Sequence, residues 1–118
     1  MAVFSRPTDA ISAALHILQE IGRFNREHGE PGIILKIGAH CGPSIAVTLN
    51  ENLDYFGQTV NVAARVQSLA DAGEICITEA LKLAPGVGNL LAGHAVVEFD
   101  APLRGVEGNA LVYRIIPR

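Results

Sequence analysis

Apolar residues recur at helical spacing over residues 11–21 and again over 62–69, and they alternate with other residues over 33–39, 44–49, 95–99 and 110–116. A short apolar strand over residues 1–4 is expected to open the chain, with no leader ahead of it. Ser5-Arg6-Pro7-Thr8-Asp9 carries helix-start chemistry: Ser5 or Arg6 at the cap, Pro7 in the first turn and Asp9 near the positive end. The helix is expected to run to about Glu27. Ile11, Leu15, Leu18 and Ile21 form its apolar stripe with Ala14 beside them, and His28-Gly29-Glu30-Pro31-Gly32 stops it.

Residues 33–39 read as a strand, Cys41-Gly42-Pro43 as a turn, and residues 44–49 as a returning strand. Asn50-Glu51-Asn52 then leads into Asp54-Tyr55-Phe56-Gly57, a polar turn running into a helix that Gln58 or Thr59 opens. On that helix Gln58, Asn61, Arg65 and Ser68 share a polar face, while Val62, Val66 and Leu69 lie on another. A strand over 74–77, a short helix over 79–83 capped by Thr78 and a loop over 85–88 follow. Residues 95–99 and 110–116 close the chain as an antiparallel pair. This order predicts an α+β fold, a sheet with helices on one face.

The 118 residues, 49% of them apolar, suffice for one domain spanning 1–118 with a real core. A net charge of −3 with no basic run argues against nucleic acid or an anionic membrane surface as the main partner. No apolar run approaches a bilayer span and no signal segment is visible, so a soluble, cytoplasmic chain is expected. Cys41 and Cys76 are too few for a disulfide scaffold and read as buried, reduced thiols. His16 and His28 have no acidic or Cys partner at ligand spacing and read as surface residues.

The candidate chemistry lies in the second helix. Arg65 offers a rigid fork of donors suited to phosphate oxygens, and Asn61, one turn earlier, can hydrogen-bond a sugar or a reacting oxygen beside it. On its own the pairing is weak, because such side chains on a polar face are more often simply solvated.

The wider pattern is more specific. Gly38-Ala39-His40-Cys41-Gly42-Pro43, then Asp54-Tyr55-Phe56-Gly57-Gln58-Thr59-Val60-Asn61-Val62-Ala63-Ala64-Arg65, then Gly73-Glu74-Ile75-Cys76-Ile77-Thr78 resembles the C-terminal half of class III adenylate/guanylate cyclase domains. Leu103-Arg104-Gly105-Val106-Glu107 and Val112-Tyr113-Arg114-Ile115 resemble the last strands of that family. The resemblance implies a partial ferredoxin-like, palm-type fold with its first strands missing, the absent first strand lying between residues 1–4 and 33–39. It also implies the conversion of ATP to cyclic AMP and pyrophosphate by the complete domain. The acidic Gly-Gly signature of the related diguanylate cyclases is absent.

By the same resemblance, Asp54 occupies the purine-contacting position. A carboxylate there can accept from the exocyclic amine of adenine, whereas guanine offers a carbonyl, so ATP is favoured. Asn61 matches the residue that orients the ribose and the attacking 3′ hydroxyl, and Arg65 the residue that stabilises charge on the phosphates. Phe56 stands where the family often has Trp. The two aspartates that hold Mg or Mn in the complete family domain, and a Lys that pairs with the purine-contacting Asp, have no counterpart here, and Asp9 belongs to a helix cap. No metal is therefore expected on this chain alone, nor cyclase activity without a metal-bearing partner. Unpaired sheet edges predict a homodimer. The alternative is a non-catalytic dimerisation or partner-binding module.

Overall fold

The computed structural model describes residues 2–29, 32–42, 45–49, 52–56, 58–102 and 109–117. Arg6 is extended, and Pro7 fills the first position of α1 (Pro7–His28), where the missing N–H is not needed. Gly29 ends the helix with φ 71°, a conformation that costs a side-chain-bearing residue more, while its N–H donates to Asn25 O. Ile11, Ala14 and Leu18 are buried along one stripe, as the periodicity requires. The returning chain is clasped to the helix by Asn25, whose side chain donates to Ile33 O at 2.9 Å and accepts from Ile33 N at 2.7 Å.

The remaining elements are β1 (Ile37–Ala39), β2 (Ile45–Leu49), β3 (Asn52–Phe56), α2 (Gln58–Gln67), β4 (Ile75–Thr78), α3 (Glu79–Lys82), α4 (Val87–Leu91), β5 (Ala95–Pro102) and β6 (Asn109–Ile116). One sheet has the order β1-β4-β6-β5, and β2 and β3 form a separate antiparallel hairpin. β4 is the middle of the structure. It runs parallel to β1 and antiparallel to β6, and all four of its residues are buried.

Strand alternation divides its side chains between two cores. On one face Ile75 and Ile77 join Tyr113 and Ile115 of β6 against Ile11, Leu18, Leu81, Val87 and Leu91 from α1, α3 and α4. On the other face Cys76 joins Val112 and Ala101 against Val62, Val66 and Ala70 of the α2 region. Burial raises the Cys76 thiol to about 11, so it behaves as a small apolar group.

The α+β class stands, with several differences from the sequence reading. The sheet is mixed, because β1 pairs with β4 in parallel. Helices cover both faces, since α2 lies opposite the other three. Residues 2–4 carry no strand, and only 37–39 of the expected strand 33–39 join the sheet, its start being held by Asn25 instead. Asp54, Tyr55 and Phe56, expected in a turn, are paired in β3 with Val47, Ala46 and Ile45. The expected loop over 85–88 turns into α4, reached through Gly86 at φ 85°. Met1, Pro43, Ser44, the Asn50-Glu51 connection, Gly57 and the motif over 103–108 lie outside the described residues.

The turn after α2 is tied to β6 by charge. Arg114 donates from Nε to Glu74 Oε1 at 2.8 Å and from Nη2 to Glu74 Oε2 at 2.9 Å and Asp71 Oδ2 at 3.1 Å. Asp71 N also donates to Glu74 Oε1. The Arg114 hydrogen bonds hold the Glu74 carboxyl below its ordinary value, so the unfolded chain binds its proton more readily. The pair's contribution is therefore complete above about pH 4.5, the ordinary value, and is lost as pH falls through the lower folded value. Glu74→Gln is expected to lower the melting temperature at neutral pH and to flatten its fall between neutral and acid pH. Melting curves across that range check both.

Candidate active site on the second helix

Gln58 opens α2, one of the two positions expected from sequence. Val62 and Val66, 3% and 0% exposed, press the helix onto β1 and β4. A buried stripe at i and i+4 leaves the opposite side to solvent, and Asn61, Ala64, Arg65 and Ser68 are exposed there. Asn61 and Arg65 therefore stand one turn apart, separated by about 6 Å of helical rise. Beyond the last turn, Ser68 Oγ donates to Arg65 O at 2.6 Å, so a side chain satisfies one of the helix's terminal carbonyls. Among the described residues no carboxylate pairs with the Arg65 guanidinium.

Asp54 is placed on β3, opposite Val47, on the strand that delivers the chain into α2 two residues after Phe56. Its backbone is thus fixed by pairing, while its carboxylate lies outside the described side chains. The structure brings Asn61 and Arg65 together on one exposed surface and puts Asp54 on the neighbouring element. The first turn of α2 holds no acidic residue, and Arg65 lies in its last turn, where a cation complements the negative end of the helix.

Sequence reading did not single out His40. It directly follows β1, and its Nδ1 lies 2.6 Å from Thr78 Oγ1, joining the C-terminal ends of β1 and β4. Partial burial lowers its pKa, favouring the neutral imidazole. Its place inside the Gly38 to Pro43 motif was the available signal. Among the described residues no group of three or more His, Cys, Asp or Glu is placed to hold a metal ion. His28 is exposed, stacked on Phe24, with its Nδ1 3.0 Å from Phe24 O, and His16 is exposed as well.

The profile described as Adenylate and Guanylate cyclase catalytic domain matches residues 3–96, taking in β1, the hairpin, α2 and β4. The chain belongs to that cyclase family. Guanylate cyclase 32E of Drosophila melanogaster is 37% identical to it over 73 residues, 58% of this chain and 6% of the relative. Receptor-type adenylate cyclase ESAG 4 of Trypanosoma brucei brucei is 29% identical over 86 residues, 71% of this chain and 7% of the relative. Among solved structures, the guanylate cyclase domain of RhGC from Catenaria anguillulae in complex with GTP superposes with a TM-score of 0.72 at 27% identity. That match covers 99% of this chain and 63% of that domain. The cyclase-family chain thus spans under a tenth of the two relatives and less than two thirds of the solved domain. No described helix is long and apolar enough to cross a membrane.

Proposed function

We propose that this chain supplies the nucleotide-contacting half of an adenylate cyclase site and works when joined to a partner that carries the metal-binding carboxylates. The observation that carries the reading is Asn61 and Arg65, exposed one turn apart on a helix whose other face is anchored in the core of a cyclase-family chain. In the reaction the ribose 3′ oxygen attacks the α-phosphorus of ATP as its hydroxyl proton is lost to solvent, the bond from that phosphorus to the bridging oxygen breaks, and pyrophosphate leaves. Asn61 orients the ribose and its 3′ hydroxyl. Arg65 meets the charge that grows on the phosphate oxygens, where a fixed donor contributes most. Asp54 accepts from the exocyclic amine of adenine, which favours ATP over GTP. On this reading divalent metal is assigned to the partner's side of the interface, with the carboxylates that would hold it. Alone, the chain is expected to be inactive.

A second reading, a module that binds another chain without catalysis, is favoured by a different feature. The outer edge of β1 has no partner strand among the described residues. Ahead of the start of β1, an open groove of about 910 Å³ against α1 is lined by Leu15, Ile33 and Ile34 together with polar His16, Asn25 and Arg26, with Ile34 75% exposed. Such an edge can recruit a strand, from a second copy or another protein. One experiment separates the two readings: mix the chain with a cyclase subunit that keeps its metal aspartates but lacks the Asn and Arg, then follow cyclic AMP and complex mass by light scattering. A rise in cyclic AMP supports catalysis. A stable complex without cyclic AMP supports the binding module.

A further inference from the structure

Two glycines lie against α2, and neither adopts the left-handed backbone that would explain a glycine by conformation. Their reason is distance. A Cβ on Gly38 would fall 2.2 Å from the backbone N of Gln67 and 2.3 Å from its Cα. Gln67 is the last residue of α2, so the helix backbone rests on the bare Cα of β1 with no side chain between. A Cβ on Gly42 would fall 2.8 Å from Thr59 Oγ1 and 3.6 Å from its Cγ2. Thr59 is the second residue of the same helix. The helix is thus seated at both ends on glycines, and Asn61 and Arg65 project from the stretch between the two seats.

We infer that Gly38 and Gly42 are positioning residues, whose missing side chains set the height and tilt of α2 and so the placement of Asn61 and Arg65 at the reacting nucleotide. The inference rests on the proposed function. Val62 and Val66 press the helix down, and the glycines decide how far down it goes. The two seats differ in what they touch. At Gly38 the obstacle is helix backbone, which no side-chain truncation removes. At Gly42 it is the end of one side chain, which Thr59→Ala removes.

The test uses Gly42→Ala, Thr59→Ala, the double variant and Gly38→Ala, each assayed in the cyclic AMP mixture with rates divided by the folded fraction, and each compared by amide NMR shifts of the chain alone. Thr59→Ala is the reference for the double variant because Thr59 makes an interaction of its own. Gly42→Ala is expected to shift the amides of α2 and to lower kcat about 10- to 100-fold, since displacements near 1 Å at a reacting centre have effects of that order. The double variant is expected to return to within about 3-fold of Thr59→Ala, the near-additivity expected once the clash that couples the two sites is gone. Gly38→Ala is expected to lose more, with no such rescue.

Wild-type rate and unchanged α2 amides in Gly42→Ala overturn the inference, as does a double variant that falls below Thr59→Ala by as much as Gly42→Ala falls below wild type. If wild type itself makes no cyclic AMP, the proposed function fails. The amide shifts of Gly42→Ala and their reversal in the double variant then still decide whether the glycines seat the helix.

Discussion

Arg65→Ala is expected to lower cyclic AMP formation in the mixed assembly by about 10²- to 10³-fold, the usual loss when one preorganised donor to a transition-state charge is removed. The side chain is exposed and has no carboxylate partner among the described residues, so its removal should leave the fold alone. Exposed substitutions of this kind change stability by about 0.5 kcal/mol or less. The expected pattern is therefore a large fall in kcat with an unchanged melting temperature. Arg65→Lys restores the charge without the planar fork and is expected to recover only part of the rate. Steady-state kinetics of the mixture measure both variants, and an Arg65→Ala mixture as active as wild type would remove the residue from the mechanism.

Ile77→Ala carries the largest expected effect on stability. Ile77 is 0% exposed in the middle of β4, between α1, α3 and α4 and the strands beside it. It is walled by strand neighbours on both sides, so the space left behind cannot collapse easily, and the loss should fall in the upper part of the usual 2–5 kcal/mol range, about 3–5 kcal/mol. For a domain with about 5–15 kcal/mol in total, that is a large fraction. Urea denaturation should show a lower midpoint with an unchanged slope, the sign of lost stability in an otherwise similar transition. A midpoint within error of wild type would mean that this core does not hold the sheet.

Much of this was readable before the structure because the signals are local. Pro7, the Ile11 to Leu18 stripe and Gly29 mark α1 from its own residues, and Val62 with Val66 fixes which side of α2 turns inward. Once that side is known, Asn61 and Arg65 fall on the other. The misses are non-local or come from ambiguous local chemistry. Nothing within residues 37–39 announces a parallel partner at 75–77, because strand pairing across so many residues is settled by packing. Helical periodicity shows a buried side but not which face of the sheet receives it, so it does not separate α2 from the other helices. Asp54 and Tyr55 read as turn chemistry, yet pairing with β2 overrides that preference. Pro85 and Gly86 do mark a turn, but a turn can be the entrance to a helix. The glycine seats were hidden for the same reason as the parallel pair: Gly38 and Gln67 are neighbours only after folding.

The place of β4 has one more consequence. Its alternate side chains belong to both cores, so neither core can be taken apart without removing a wall of the other. Melting on the α1 side would strip the backing from α2, and lifting α2 would expose Cys76 and Val112 at the centre of the sheet. Cooperativity then reaches the reactive surface itself: loosening the helix that presents Asn61 and Arg65 is expected to cost the burial of the second core and so to draw on the stability of the sheet.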